Sequence, residues 1–194
     1  MKRVFAPAAA LFAVAASLAA APAAQANTYS IEPSHTAVTF EADHFNTSTL
    51  RGRFDKKEGT VEFDPAKKVV KIDLTIDTTS INTGLEPFNG HLKSKDFFNA
   101  AEFPTAKFVA DKAKFNGDKV SEVTGTLTLL GKTQPVTLKA ERFNCYDNPM
   151  FKRQVCGGDF TTTIKRSQWG MDYGVDKGMV DNIRLLVQVE AVKQ

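Results

Sequence analysis

Residues 70–77 read VKIDLTID, and their alternation decides the fold class. Val70, Ile72, Leu74 and Ile76 fall on one face; Lys71, Asp73, Thr75 and Asp77 fall on the other. A side-chain period of two marks a strand with one wet face. Just upstream, Asp64-Pro65-Ala66-Lys67-Lys68 has turn chemistry, with aspartate first and then a proline whose φ is pre-set. Working outward, extended segments are expected at Thr28 to Ile31, Thr36 to Ala42, Leu50 to Phe54 and Thr60 to Phe63. Beyond the central strand they are expected at Thr105 to Ala113, Val120 to Leu130, Gln134 to Phe143, Phe160 to Ile164 and Asn182 to Val192. Asn116-Gly117 with Asp118, and Gly131-Lys132, read as hairpin turns. The count is about eight strands, with no βαβ alternation, so the sheet is antiparallel and closes as a sandwich or a barrel. An eight-stranded barrel has an interior that side chains fill or that holds one small ligand.

One stretch breaks the alternation. Residues 80–108, SINTGLEPFNGHLKSKDFFNAAEFPTAKF, carry Pro87, Gly90, His91 and five phenylalanines. An irregular insert of this length in a compact β domain is functional or disordered, and this one is too aromatic for disorder. It reads as a lid. Pro87 suits the first turn of a helix, and Phe88 and Leu92 share a face four residues apart. Ser94 reads as the N-cap of a second short helical piece that projects Phe97 and Phe98. Phe103, held extended before Pro104, reads as structural. The cluster either seals a barrel end or lines a cavity for an apolar guest, and a lid can do both.

The first residues lie outside this pattern. Lys2 and Arg3, an Ala-, Leu- and Val-rich run and Ala24-Gln25-Ala26 make residues 1–26 a cleavable secretory signal peptide. Residues 27–194 then form a single domain, with no later stretch long enough to span a membrane. Without Lys2 and Arg3 the chain has 23 basic and 22 acidic residues, which argues against a nucleic-acid partner. Cys145 and Cys156, the only cysteines, read as a structural disulfide closing a turn-rich loop in an oxidising compartment. A redox pair and metal ligation are the alternatives. The loop-entropy model values such a bridge at roughly 3 kcal/mol.

The sequence offers little catalytic chemistry. His35, His44 and His91 lack ligand spacing and no H-E-x-x-H occurs, although three histidines can converge in space on a zinc. No G-x-S-x-G elbow or phosphate-cradling glycine loop is present, and Gly157-Gly158 reads as a turn. The expectation is a binding protein with no catalytic residues and no metal. A histidine-dependent metal protein or enzyme, and a ligand-free exported interaction domain, are the competing readings.

An ordered set of motifs resembles the YceI-like family of exported, polyisoprenoid-binding, lipocalin-like proteins. It runs from Ser34-His35-Thr36 and Phe40 through His44, Gly52-Arg53-Phe54 and Thr79-Ser80-Ile81-Asn82-Thr83. It continues with His91-Leu92-Lys93-Ser94-Lys95-Asp96-Phe97-Phe98, Phe103-Pro104, Gly125 to Gly131, Arg166-Ser167 and Trp169-Gly170. The resemblance spans essentially the whole mature chain. It implies an all-β protein: an eight-stranded antiparallel lipocalin-like barrel with a short helical insert, working in the periplasm. It also implies a long cavity for a polyisoprenoid or quinone-type lipid, bound as ligand and not as a cofactor. The residues expected to line that cavity are Phe40, Phe54, Phe88, Leu92, Phe97, Phe98, Phe108, Leu127, Leu129, Trp169, Leu185 and Val187. His35, His91 and Arg166 are expected at its mouth, against a headgroup; the alternative for Arg166 is a nearby carboxylate. The expected partner is an apolar long-chain lipid, and a homodimer is admitted.

Overall fold

The computed structural model describes residues 26–194, so the expected signal peptide lies, but for Ala26, outside the described residues. Strands β1 (Asn27–Ile31), β2 (Ala37–His44), β3 (Ser48–Phe54), β4 (Lys57–Asp64) and β5 (Val69–Asp77) come first. The two-residue β6 (Ile81–Asn82) and the only α-helix among the described residues, α1 (Glu86–Lys93), follow. The chain ends with β7 (Thr105–Asn116), β8 (Lys119–Leu129), β9 (Lys132–Asn148), β10 (Arg153–Lys165) and β11 (Asn182–Lys193).

All pairings are antiparallel, and eight walls close into a barrel. One edge of β11 bonds to β10, while its other edge bonds to β2 through Ile183–Gln188 and to β1 through Ala191–Lys193. β1 and β2 are therefore one wall, interrupted at residues 32–36. β3 and β4 form the next wall, and β5 continued by β6 the third. The remaining walls are β7, β8, β9, β10 and β11 in chain order. The alternation in residues 70–77 is realised: Val70, Leu74 and Ile76 are buried, and Asp73 pairs with Lys107 at 3.1 Å outside.

Four local expectations are corrected. The Cys145–Cys156 disulfide forms, but it closes no irregular loop. The two residues are directly opposed on the β9–β10 ladder, which runs on to Asn148 and Arg153. β10 therefore begins at Arg153, and Gly157-Gly158 lies within it. A side chain at either glycine would come within 2.1 Å of a neighbouring strand's carbonyl oxygen, Val189 for the first and Arg142 for the second. These glycines permit close strand approach and make no turn. The β8–β9 turn sits one residue earlier than expected, on Leu130 and Gly131, both at positive φ. Finally, Ser94 caps no second helix. It ends α1, and the chain turns back so that the Phe98 and Ala100 amides donate to the Leu92 and Lys93 carbonyls. Those carbonyls would otherwise be orphaned at the helix end, and satisfying them competes with starting a new helix.

The barrel's two ends differ. At the far end Phe63 meets Tyr29 edge-on, stacks on Phe115 and packs against Phe143. At the other end Thr78, fully buried, draws the neck of the insert together: its hydroxyl donates to the Phe103 carbonyl (2.7 Å) and its amide to the Pro104 carbonyl (2.9 Å).

The break between β1 and β2 is held by Glu32. Its carboxylate accepts from the Ser34 amide (2.9 Å), the His35 amide (2.8 Å) and the His35 ring (2.6 Å). Partial burial alone would raise its pKa, but these hydrogen bonds outweigh that and hold it at about 2, against an ordinary 4.5. A lowered folded-state pKa contributes stability above the ordinary value, lost as pH falls toward the folded value. Glu32→Gln should therefore destabilise by about 1 kcal/mol at neutral pH. The gap to the parent protein should narrow between pH 4.5 and 2. Urea unfolding midpoints across that range test this; a gap constant with pH would contradict the assignment.

Candidate functional site

Under α1 lies a cavity of about 230 Å³. Its wall is built from inward positions on neighbouring strands: Val38 and Phe40 of β2, Phe54 of β3, Ile76 of β5, Ala106 of β7, and Leu127 and Leu129 of β8. Ile164 of β10 and Ile183 and Leu185 of β11 complete the strand lining. The roof combines Phe88 and Leu92 of α1, Phe97 and Phe98 just beyond it, and Met171, Met179 and Val180 from the β10–β11 connection. Phe40, Phe54 and Phe98 run in series from β2 across β3 to the roof, at 6.1 and 5.5 Å between ring centroids. Gly52 makes room for the first of these. A side-chain carbon there would stand 2.3 Å from the Phe40 ring, so only glycine lets Phe40 lie flat across β3.

The polar side chains of this wall are Asp43, His44, His91 and Arg166. They come from the end of β2, from α1 and from the turn after β10, which all lie at the α1 end of the barrel. His91 is partly exposed and packs edge-on against Phe97 (5.0 Å) and Tyr173 (5.6 Å). Arg166 is buried and stands over the Phe97 ring at 5.7 Å. The carboxylate pairing considered for it is not what the structure shows. Nε donates to the Val180 carbonyl (2.8 Å), and the two terminal nitrogens donate to those of Met171 and Tyr173 (both 2.9 Å). Burial lowers its pKa, opposed at longer range by Asp181 and Asp172. Asp181 itself holds Ser167, through its amide (2.9 Å) and hydroxyl (2.8 Å).

The sequence-expected residues divide as follows. Phe40, Phe54, Phe88, Leu92, Phe97, Phe98, Leu127, Leu129, Leu185, His91 and Arg166 line this cavity. Phe108 and Val187 line a second, smaller one beneath it. Trp169 lines neither; it is fully buried, and its indole N–H donates to the Leu127 carbonyl at 3.0 Å. His35 stands at the β1–β2 break, exposed and tied to Glu32, away from both cavities and not at the mouth. The reading missed Val38 and Ile183, although they alternate in phase with Phe40 and Leu185. It also missed Phe45, Met171 and Met179, which sit in turns without periodicity. Among the described residues, no three His, Cys, Asp or Glu side chains gather as a metal site would require. No helix there is long and apolar enough to cross a membrane.

Residues 29–191 match the family model of the YceI-like domain. The Escherichia coli O157:H7 protein YceI is 36% identical over 166 residues, which is 84% of each chain. Among solved structures, Burkholderia cenocepacia BcnA superposes with a TM-score of 0.69 at 27% identity, covering 82% of this chain and 98% of that one. A polyisoprenoid binding domain from Saccharophagus degradans shares the fold, with a TM-score of 0.62 at 16% identity, covering 86% and 98%.

Proposed function

Because the chain belongs to the YceI-like family, we propose that it is a periplasmic binding protein that sequesters or transports one long-chain polyisoprenoid, quinone-type or related amphiphilic lipid. The observation that carries this reading is the cavity under α1: apolar walls throughout, with its polar side chains gathered at one end. That is the polarity profile of a lipid, tail inward and headgroup at the mouth. His91 and Arg166 are the groups we assign to the headgroup. Arg166 has spent three N–H groups on carbonyls and, having five, keeps two to offer. No catalytic step is needed. Ten methylenes buried at about 0.8 kcal/mol each give roughly 8 kcal/mol gross, near micromolar affinity before ordering costs. The name of the Saccharophagus degradans domain points to the same class of guest.

Organic extraction of the purified protein followed by mass spectrometry tests the reading. The expected result is a polyprenyl lipid at one per chain. Ala106→Phe, which adds a ring to the cavity wall, should lower that load about tenfold while leaving thermal unfolding in place. If the protein yields no lipid and takes up no added polyprenol, the reading is wrong. A load unchanged in Ala106→Phe would place the guest outside the lumen.

A further inference from the structure

The barrel interior holds two chambers. The larger, of about 230 Å³, lies under α1; the smaller, of about 80 Å³, lies toward the far end. Among the described residues, none lines both. On three walls the two sets occupy successive inward positions: Ile76 then Leu74 on β5, Ala106 then Phe108 on β7, Leu185 then Val187 on β11. Successive inward positions are about 7 Å apart along a strand, so the boundary between the chambers falls between one row of side chains and the next.

On the small-chamber side this boundary carries two cross-strand pairs. Leu74 faces Phe108 across the β5–β7 ladder, and Phe160 faces Val187 across β10–β11. In the closed ring these pairs belong to opposite walls, so the two phenylalanines enter the lumen from opposite sides. Below them the lining is hydrocarbon but for Tyr29, whose hydroxyl already donates to Gln154 Oε1 at 2.7 Å, the disulfide-bonded Cys156 and the backbone of Gly157. Were the boundary opened, the small chamber would suit only the tip of an apolar tail.

We propose that the layer formed by Phe108 and Phe160 sets the chain length the barrel reads: a tail is measured against this floor, and tails that outgrow the chamber under α1 gain no further affinity. The proposal rests on the polyprenyl-binding reading above. Each additional methylene that is buried multiplies affinity by about four, so a tail still entering the lumen announces itself steeply in a length series. A tail stopped at the floor adds units that stay outside and contribute nothing of that kind.

The test uses the delipidated mature protein and a ladder of prenols: geraniol, farnesol, geranylgeraniol and solanesol, each displacing a fluorescent polyene probe. Affinity should rise along the ladder and then level off. In Phe108→Leu and Phe160→Leu, which thin the floor from either side, the levelling should move to a longer alcohol and affinity beyond the old break should rise at least tenfold. Thermal unfolding confirms that each variant is folded; should one fail, the other variant and the parent ladder decide. A parent ladder climbing without a break to solanesol, or a break that stays put in a folded variant, overturns the floor while leaving polyprenyl binding intact. Failure of every prenol to bind the parent protein overturns the polyprenyl reading and the floor with it.

Discussion

Replacing Arg166 by methionine should destabilise the barrel by about 3 to 5 kcal/mol and loosen its mouth. The guanidinium is buried and makes three hydrogen bonds, all to backbone carbonyls of the β10–β11 connection. A hydrogen bond from a charged donor contributes about 1.5 to 3 kcal/mol, and a carbonyl left buried without a partner costs about 1 to 3. The full sum is not expected, because the connection can relax and admit water. Even so, the loss would be a large share of the 5 to 15 kcal/mol typical of a domain. Met171 and Val180, which line the cavity, lie within or beside the segment those bonds hold. The damage should therefore appear locally as well as globally. Amide exchange across residues 170–181 should speed up more than in β7 or β8, and polyprenol affinity should fall. Arg166→Lys is the informative control. An ammonium is a single point on a flexible stem and cannot reach three diverging carbonyls, so it should recover little. A lysine variant as stable as the parent, or a methionine variant within 1 kcal/mol of it, would show that the three bonds are not what holds this connection.

How much of this could be read from the sequence depends on where periodicity holds. The walls were legible because inward and outward positions alternate, as Val70, Leu74 and Ile76 do against Lys71 and Asp73. The same phase carried Phe40, Leu127 and Leu185 into the cavity lining, and would have carried Val38 and Ile183. What failed was the reading of punctuation. Gly157-Gly158 looks like a turn in one dimension. In three, each glycine sits where a neighbouring strand's carbonyl leaves no room for a side chain, and residues 153–159 are strand. The Ser94 reading failed because capping chemistry is local, whereas the carbonyls that claimed the following amides belong to the end of α1. Arg166 was expected at the mouth, and it does line the cavity. Its three carbonyl partners lie in a glycine-marked run with no periodic signal, so nothing in the sequence foretold them.

Trp169→Ala should cost about 3 to 5 kcal/mol, the range for deleting a large buried aromatic. The side chain is about 1% exposed and lines neither chamber, so the loss is structural and no guest can refill it. Its indole N–H ties the 3-10 turn of residues 166–169 to the Leu127 carbonyl of β8. Trp169→Phe keeps most of the ring volume and loses that bond, so it should cost only about 1 to 2 kcal/mol. The pair of variants thus separates packing from hydrogen bonding. Trp169 and Arg166 share one turn: the first fastens it to β8, the second fastens the connection after it. Damage to either releases the same segment, so the double variant Arg166→Met/Trp169→Ala should lose less than the two single losses added together. Residues in one network commonly couple by 0.5 to 3 kcal/mol, about the range expected here. Urea unfolding of the four proteins measures it. Strict additivity would mean that the turn and the connection are held independently, and that Trp169 bears on the barrel wall alone.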